Sequence, residues 1–239
     1  MLLDLDLTKI LFLDIETVPQ QHQYSELTEG AAKLWDTKAE KLSREEKTGK
    51  EMYERAGIYA EFGKIICISV GFFNLLEGGK REFRMRSFFG DDERQLLLEF
   101  CSMLDKHFGS PSNLLCAHNG KEFDFPYIAR RLIINSIPIP RPLDIAGKKP
   151  WEVQHLDTME LWKFGDWKSY TSLNLLCHTL NIPTPKTDIE GKDVARVYYE
   201  KKDLDRIERY CKRDTLAVAQ ILLRYRGEEI LTDEQVIEK

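Results

Sequence analysis

Four consecutive apolar positions, Ile10, Leu11, Phe12 and Leu13, open the organised part of the chain. A run without a polar gap fits a central strand covered on both faces. It leads into Asp14-Ile15-Glu16-Thr17, and Pro19 then stops ladder pairing. Residues 21–62 change character. Lys38 to Arg55 is dense in charge, with Ala39, Leu42, Met52 and Tyr53 as its apolar positions, and reads as an exposed helical insertion too short and polar to build a core of its own.

Two β-rich runs follow, Lys64 to Phe73 and Arg81 to Phe89, around Glu77-Gly78-Gly79-Lys80, which predicts a hairpin. Phe83, Met85 and Ser87 alternate with exposed positions, so the second run is expected to be an outer strand. Asp91 is expected to cap a helix to about His107, buried through Leu96, Leu97, Phe100, Met103 and Leu104. Asn113 to Ala117 reads as a short buried strand. Phe123 to Asn135 reads as a helix closed by the proline-rich segment Ile137 to Pro142. Trp151 to Leu156 is a candidate last strand. Ser172 suits a helix cap, with Asn181 as a left-handed terminator. A long helix spans about Asp203 to Arg226, and the polar tail from about residue 227 is expected to fray. The order predicts an α/β protein: three antiparallel strands, then alternating helices and parallel strands, in one domain over residues 1–239.

The 239 residues are 42% hydrophobic and 31% charged, ordinary values for a globular protein. No apolar run approaches the ~18 residues of a membrane span, and the acidic, apolar N-terminus lacks the basic start of a signal peptide. The five cysteines, with no CxxC pair, read as reduced buried thiols, which suits the cytoplasm. The net charge of −5 argues against a protein that coats nucleic acid. It leaves open an enzyme gripping a few nucleotides, since bound cations reverse the sign of a carboxylate cluster.

Four acidic residues stand out. Asp14 and Glu16 are two apart on a strand and so share a face. Like charges near a core are costly unless neutralised, and hard oxygen ligands suit magnesium or manganese. A solvated strand end is the bland alternative. Asp214 falls, with Tyr210, within the apolar stripe of the last helix (Ile207, Cys211, Val218, Ile221, Leu222), where a structural Asp bonded to Tyr would also fit. Asp124 begins a helix, where simple N-capping is the rival explanation. His118 can equally be a satisfied structural histidine.

In combination, Asp14-Ile15-Glu16-Thr17, His118-Asn119-Gly120-Lys121-Glu122-Phe123-Asp124 and Tyr210-Cys211-Lys212-Arg213-Asp214 resemble the three motifs of the DEDD superfamily of 3'-5' exonucleases. Tyr-x3-Asp marks the DEDDy branch; the alternative branch carries His where Arg209 stands. Glu61 to Ile66, His155 to Met159, Ser172-Leu173 and the run from Ile182 to Val194 further resemble stand-alone proteins related to the exonuclease domain of family-B DNA polymerases. The similarity spans roughly residues 9 to 226, and the insertion is its least typical part.

The resemblance implies a ribonuclease H-like fold with a mixed five-stranded sheet. It implies two divalent cations, Mg2+ or Mn2+, held by Asp14, Glu16, Asp124 and Asp214, with Tyr210 orienting the attacking water. It further implies contacts from Thr17, Asn119 and Phe123 to the terminal nucleotide, and support from His118 and Asp157 behind the site. The expected substrate is the 3' end of single-stranded nucleic acid, DNA ahead of RNA, with nucleoside 5'-monophosphates released. The segment Trp162 to Tyr170, aromatics among lysines, suits base stacking or ordinary helix-end packing. Two other functions share these residues: a nucleic-acid-binding module whose chemistry has lapsed, and a phosphohydrolase acting on small nucleotides.

Overall fold

The computed structural model describes residues 2–42, 47–166, 170–183 and 189–238. Its centre is a six-stranded mixed sheet in the order β5-β4-β1-β2-β3-β6. The first strand, β1 (Ile10–Pro19), runs antiparallel to β2 (Gly63–Leu75), which pairs antiparallel with β3 (Arg81–Phe89). On its other side β1 runs parallel to β4 (Leu114–Ala117), and β4 parallel to β5 (Leu156–Asp157). These are the five strands expected from sequence.

A sixth strand, β6 (Val236–Glu238), lies parallel to β3. The end of the polar tail is therefore paired rather than frayed, and β3 is not the outer strand along that stretch. The last strand is Leu156–Asp157, which shares only Leu156 with the expected run Trp151 to Leu156. Residues Pro150–Glu152 form a 3-10 turn, and Leu115 N–H donates to the His155 ring instead of to backbone.

Both faces of β1 are buried, for different reasons. Leu11, Leu13 and Ile15 pack with α3 (Glu93–His107) and α4 (Asp124–Ile134). Ile10 and Phe12 pack with the last helix, α8 (Leu204–Tyr225), through Val218, Ala219 and Leu222. Period-two alternation then puts Asp14 and Glu16 on the α8 side. The cap of α3 is Asp92, which accepts from Gln95 N–H at 3.0 Å, because Asp91 is taken by the Tyr198 hydroxyl at 2.6 Å.

The insertion holds α1 (Glu29–Leu42), α2 (Gly49–Met52) and a 3-10 segment at Tyr53–Ile58. Contrary to expectation it has a small core: Trp35, Ala39, Met52, Tyr53 and Ala56. The Trp35 ring is fully buried and its indole N–H donates to Gly49 carbonyl. Shorter helices complete the chain: α5 (Thr158–Lys163), α6 (Leu173–Thr179), capped by Ser172 as expected, and α7 (Val194–Arg196), which continues into a π-turn at Val197–Lys201. Among the described residues no helix is long and apolar enough to cross a membrane.

Candidate active site

β4 and β5 end side by side next to the middle of β1, which runs on past them to Pro19, and open α/β sheets bind ligands beyond such carboxyl ends. The register pairs Phe12 with Cys116 and Ala117 with Asp157. Asp14 and Glu16 therefore lie beside the turn leaving β4 and the start of α5. A β-bulge interrupts the β1–β2 register just after Glu16. Such bulges re-aim side chains next to active sites.

The turn after β4 carries the second motif. Asn119 sits in the left-handed region at φ 62°. At Gly120 a Cβ would stand 2.4 Å from that of Ala117, so only glycine lets the chain pass so close to the strand. Asp157 fixes this turn: it accepts from Asn119 and Lys121 N–H at 2.9 and 3.1 Å while capping α5 through Met159 and Glu160 N–H. His118 is held at both ring nitrogens, by Thr158 Oγ1 and the Thr171 carbonyl, each at 2.9 Å. Burial lowers its pKa, so the ring is neutral and structural at pH 7. Asp124 then opens α4, almost fully buried at 3% exposure. It is not the cap of its helix; that position belongs to Phe123, which makes no side-chain capping bond.

Helix α8 closes the site from the other face of β1. Cys211 donates its thiol hydrogen to the Asp14 carbonyl at 3.3 Å, and Thr215 bonds the Ser69 carbonyl at 3.3 Å. These contacts set the helix rotation so that Tyr210 and Asp214, one turn apart, stand at the edge of the buried stripe. The Tyr210 hydroxyl lies beside the Asp214 carboxyl, and each shifts the other's pKa.

The structure thus brings Asp14, Glu16, Asp124, Asp214 and Tyr210 into one electrostatic cluster. The carboxyls of Asp14 and Glu16 are raised well above the carboxylate range, first by burial and then by each other's neighbours, Asp214 and Asp124 among them. Burial lifts Asp124 to about 7 and Asp214 to about 6, the latter despite Tyr210 and Arg213. Burial and the same acids push the Tyr210 hydroxyl far upward, so it keeps its proton.

These residues suit a hard divalent cation. Oδ2 of Asp14 is buried without a hydrogen-bond partner. Ligand atoms of Asp14, Glu16 and Cys211 lie within 4.8 Å of one another. Burial holds the Cys211 thiol protonated, so the oxygens are the natural donors there. Asp124 and Asp214 stand outside that tightest group and act on it as neighbouring charges.

The candidate substrate contacts are placed around this cluster. Thr17 is half-buried. Asn119 Oδ1 is a buried acceptor without a donor. Phe123 is half-buried against Tyr127, with ring centroids 5.3 Å apart. In the aromatic–lysine segment, Trp162 stacks on Tyr225 as ordinary packing, whereas Phe164 and Tyr170 are exposed and Lys163 lies 4.7 Å over the Tyr170 ring. Trp167, Lys168 and Ser169 lie outside the described residues.

Two residues near the site had no distinct signal. Tyr127 donates to Gly57 carbonyl at 2.7 Å, tying α4 to the insertion, and a tyrosine three residues after Asp124 looks like any core position. Cys211 looked like one more member of an apolar stripe.

Comparison with known proteins agrees with this geometry. The chain is similar in fold to the family B DNA polymerase of the hyperthermophilic archaeon Pyrobaculum calidifontis, with a TM-score of 0.52 at 14% identity. The match covers 90% of this chain and 24% of the polymerase, so the chain spans about a quarter of that protein's length. A family model matches residues 58–237, which include Asp124, Tyr210 and Asp214 but begin after Asp14 and Glu16. The chain therefore belongs to the family of predicted 3'-5' exonucleases related to the exonuclease domain of PolB.

Proposed function

We propose that the protein is a divalent-metal-dependent exonuclease that removes nucleotides from the 3' end of single-stranded nucleic acid, DNA ahead of RNA. The observation that carries this reading is the partnerless, buried Oδ2 of Asp14 amid mutually repelling carboxylates. Such a cluster is costly without a cation and well matched to two.

Asp14, Glu16, Asp124 and Asp214 would hold the ions. Bound Mg2+ or Mn2+ supplies charge neutralisation at the scissile phosphate and acidifies a water. Tyr210 stands beside Asp214 and keeps its proton. It would orient the attacking water through its hydroxyl, leaving a water lone pair aimed at phosphorus. Attack breaks the bond from phosphorus to the 3' oxygen of the preceding residue and releases a nucleoside 5'-monophosphate. Thr17, Asn119 and Phe123 would seat the terminal nucleotide. His118 and Asp157 would hold the turn that carries Asn119 and Asp124. Five buried free thiols suit a reducing compartment such as the cytoplasm.

The test compares substrates at fixed Mn2+ or Mg2+: single-stranded DNA, the same sequence as RNA, and a mononucleotide ester. The proposal expects stepwise release of 5'-monophosphates from oligonucleotides, faster from DNA. Hydrolysis confined to the small ester would replace it with a phosphohydrolase acting on small nucleotides.

A further inference from the structure

Beyond Glu16 and Thr17, β1 continues to Pro19, and Pro19 forms one wall of an open groove of about 510 Å³. Its other walls come from the insertion, through His22, Lys50 and Tyr53, and from the 3-10 turn Gly191–Asp193 and the end of α7, through Lys192 and Arg196. We propose that this groove binds a nucleotide of the substrate strand a few residues upstream of the 3' end, so that the insertion completes the substrate track. The proposal rests on the exonuclease reading above and extends it to a second site.

Three features point to a nucleotide. The first is an aromatic shelf: the rings of His22 and Tyr199 stack with centroids 4.8 Å apart and planes inclined by 17°. Tyr199 is pinned to β1, since its hydroxyl donates to the Pro19 carbonyl at 2.5 Å. The shelf is therefore fixed to the strand that carries Asp14 and Glu16. A half-exposed imidazole on a rigid ring is the kind of platform on which a base stacks.

The second feature is charge. Lys50, Lys192 and Arg196 are exposed around the shelf, against Glu54 and Glu200 as the acids of the lining. Lys192 and Arg196 are engaged by Glu190 at 2.7 Å and Asp193 at 2.9 Å. Exposed pairs of this type contribute little in water, so a phosphate can take over either cation. The third feature is reach. Pro19 lies three residue steps along the strand from Glu16, about 10 Å at ~3.3 Å per residue. That is about three nucleotides at the ~3.4 Å rise of a stacked strand.

Two variants separate charge from stacking: Lys192→Glu with Arg196→Glu, and His22→Ala. Binding of a labelled dodecanucleotide is measured by fluorescence anisotropy on an Asp14→Asn background, where the strand stays intact. The double charge variant is expected to bind about tenfold more weakly, and its slope of log affinity against log salt to fall by about 0.7 per lost phosphate contact. His22→Ala is expected to weaken binding severalfold at an unchanged salt slope. In the otherwise wild-type enzyme, the ratio of kcat/KM on the dodecanucleotide to that on a dinucleotide should fall about as much as the affinity does, because a dinucleotide cannot reach the groove.

No measurable binding on the Asp14→Asn background overturns the groove, and so does binding indifferent to all three substitutions. Groove-dependent binding without hydrolysis by the wild type would instead overturn the exonuclease reading. Hydrolysis of both substrates with an unchanged ratio overturns the groove alone.

Discussion

At Asp14 one carboxylate oxygen lies buried without a partner while Glu16, Asp214 and Asp124 all raise its pKa. Removing that charge should relieve the metal-free fold. For Asp14→Asn at pH 8 without metal we expect a melting temperature several degrees above wild type, taking about 1–3 kcal/mol for the relieved repulsion and ~2–4 °C per kcal/mol at this chain length. Added Mn2+ should raise the melting temperature of the wild type and leave that of the variant almost unmoved. A variant that melts lower and still responds fully to Mn2+ would contradict the ligand assignment. Tyr210→Phe should behave oppositely, keeping the Mn2+ response while kcat drops roughly 10–100-fold. Asp14, Glu16, Asp124, Asp214 and Tyr210 were all legible in the sequence because each motif is short and local. Asp157, expected behind the site, does hold the turn after β4, whereas the Cys211 contact to the Asp14 carbonyl joins distant segments and left no such trace.

Among the elements, α3, α4 and β2 are joined by a buried ion pair the sequence did not reveal. Glu93 accepts two bonds from Arg131 and one from Ile65 N–H at 2.7 Å, and Arg131 also donates to the Ala60 carbonyl at 2.8 Å. The partners lie 38 residues apart, and Glu93 in the first turn of α3 resembles any exposed helix-start acid. Glu93→Ala would strand a buried guanidinium and should cost about 3–5 kcal/mol in urea denaturation. An unchanged midpoint would show that the pair is solvated. The same limit on local pattern explains the other differences. Strand β6 has three residues, too few to show a period. The insertion core depends on Trp35, which precedes the charged stretch that made the region look coreless. The hairpin, α4, α6 and α8 were legible because their patterns are long or their caps explicit.

For the molecule as a whole, pH should govern metal-free stability in an unusual direction. The four carboxylates have folded pKa values above their unfolded ones, with Asp214 at about 6 and Asp124 at about 7. The contribution of Asp214 and Asp124 is full below pH ~4 and is lost as pH rises through 6 to 7. Thermal melts without metal should therefore show this contribution falling from pH 5 to pH 8. Divalent cation should restore it at pH 8 and do little at pH 5, where protons compete for the same oxygens. The net charge of −5 acts in the same sense, since bound cations offset the cluster that repels a polyanion.

The central claim is that these four carboxylates form a metal site that shortens nucleic acid from its 3' end. Its most direct test follows a single-stranded DNA labelled at the 5' end, incubated with wild type, Asp14→Asn or Asp214→Asn, with Mn2+ or with chelator. Wild type with Mn2+ should give a ladder descending one nucleotide at a time, and chelator and both variants should leave the strand intact. Internal cuts, shortening in chelator, or a ladder from either variant would contradict it.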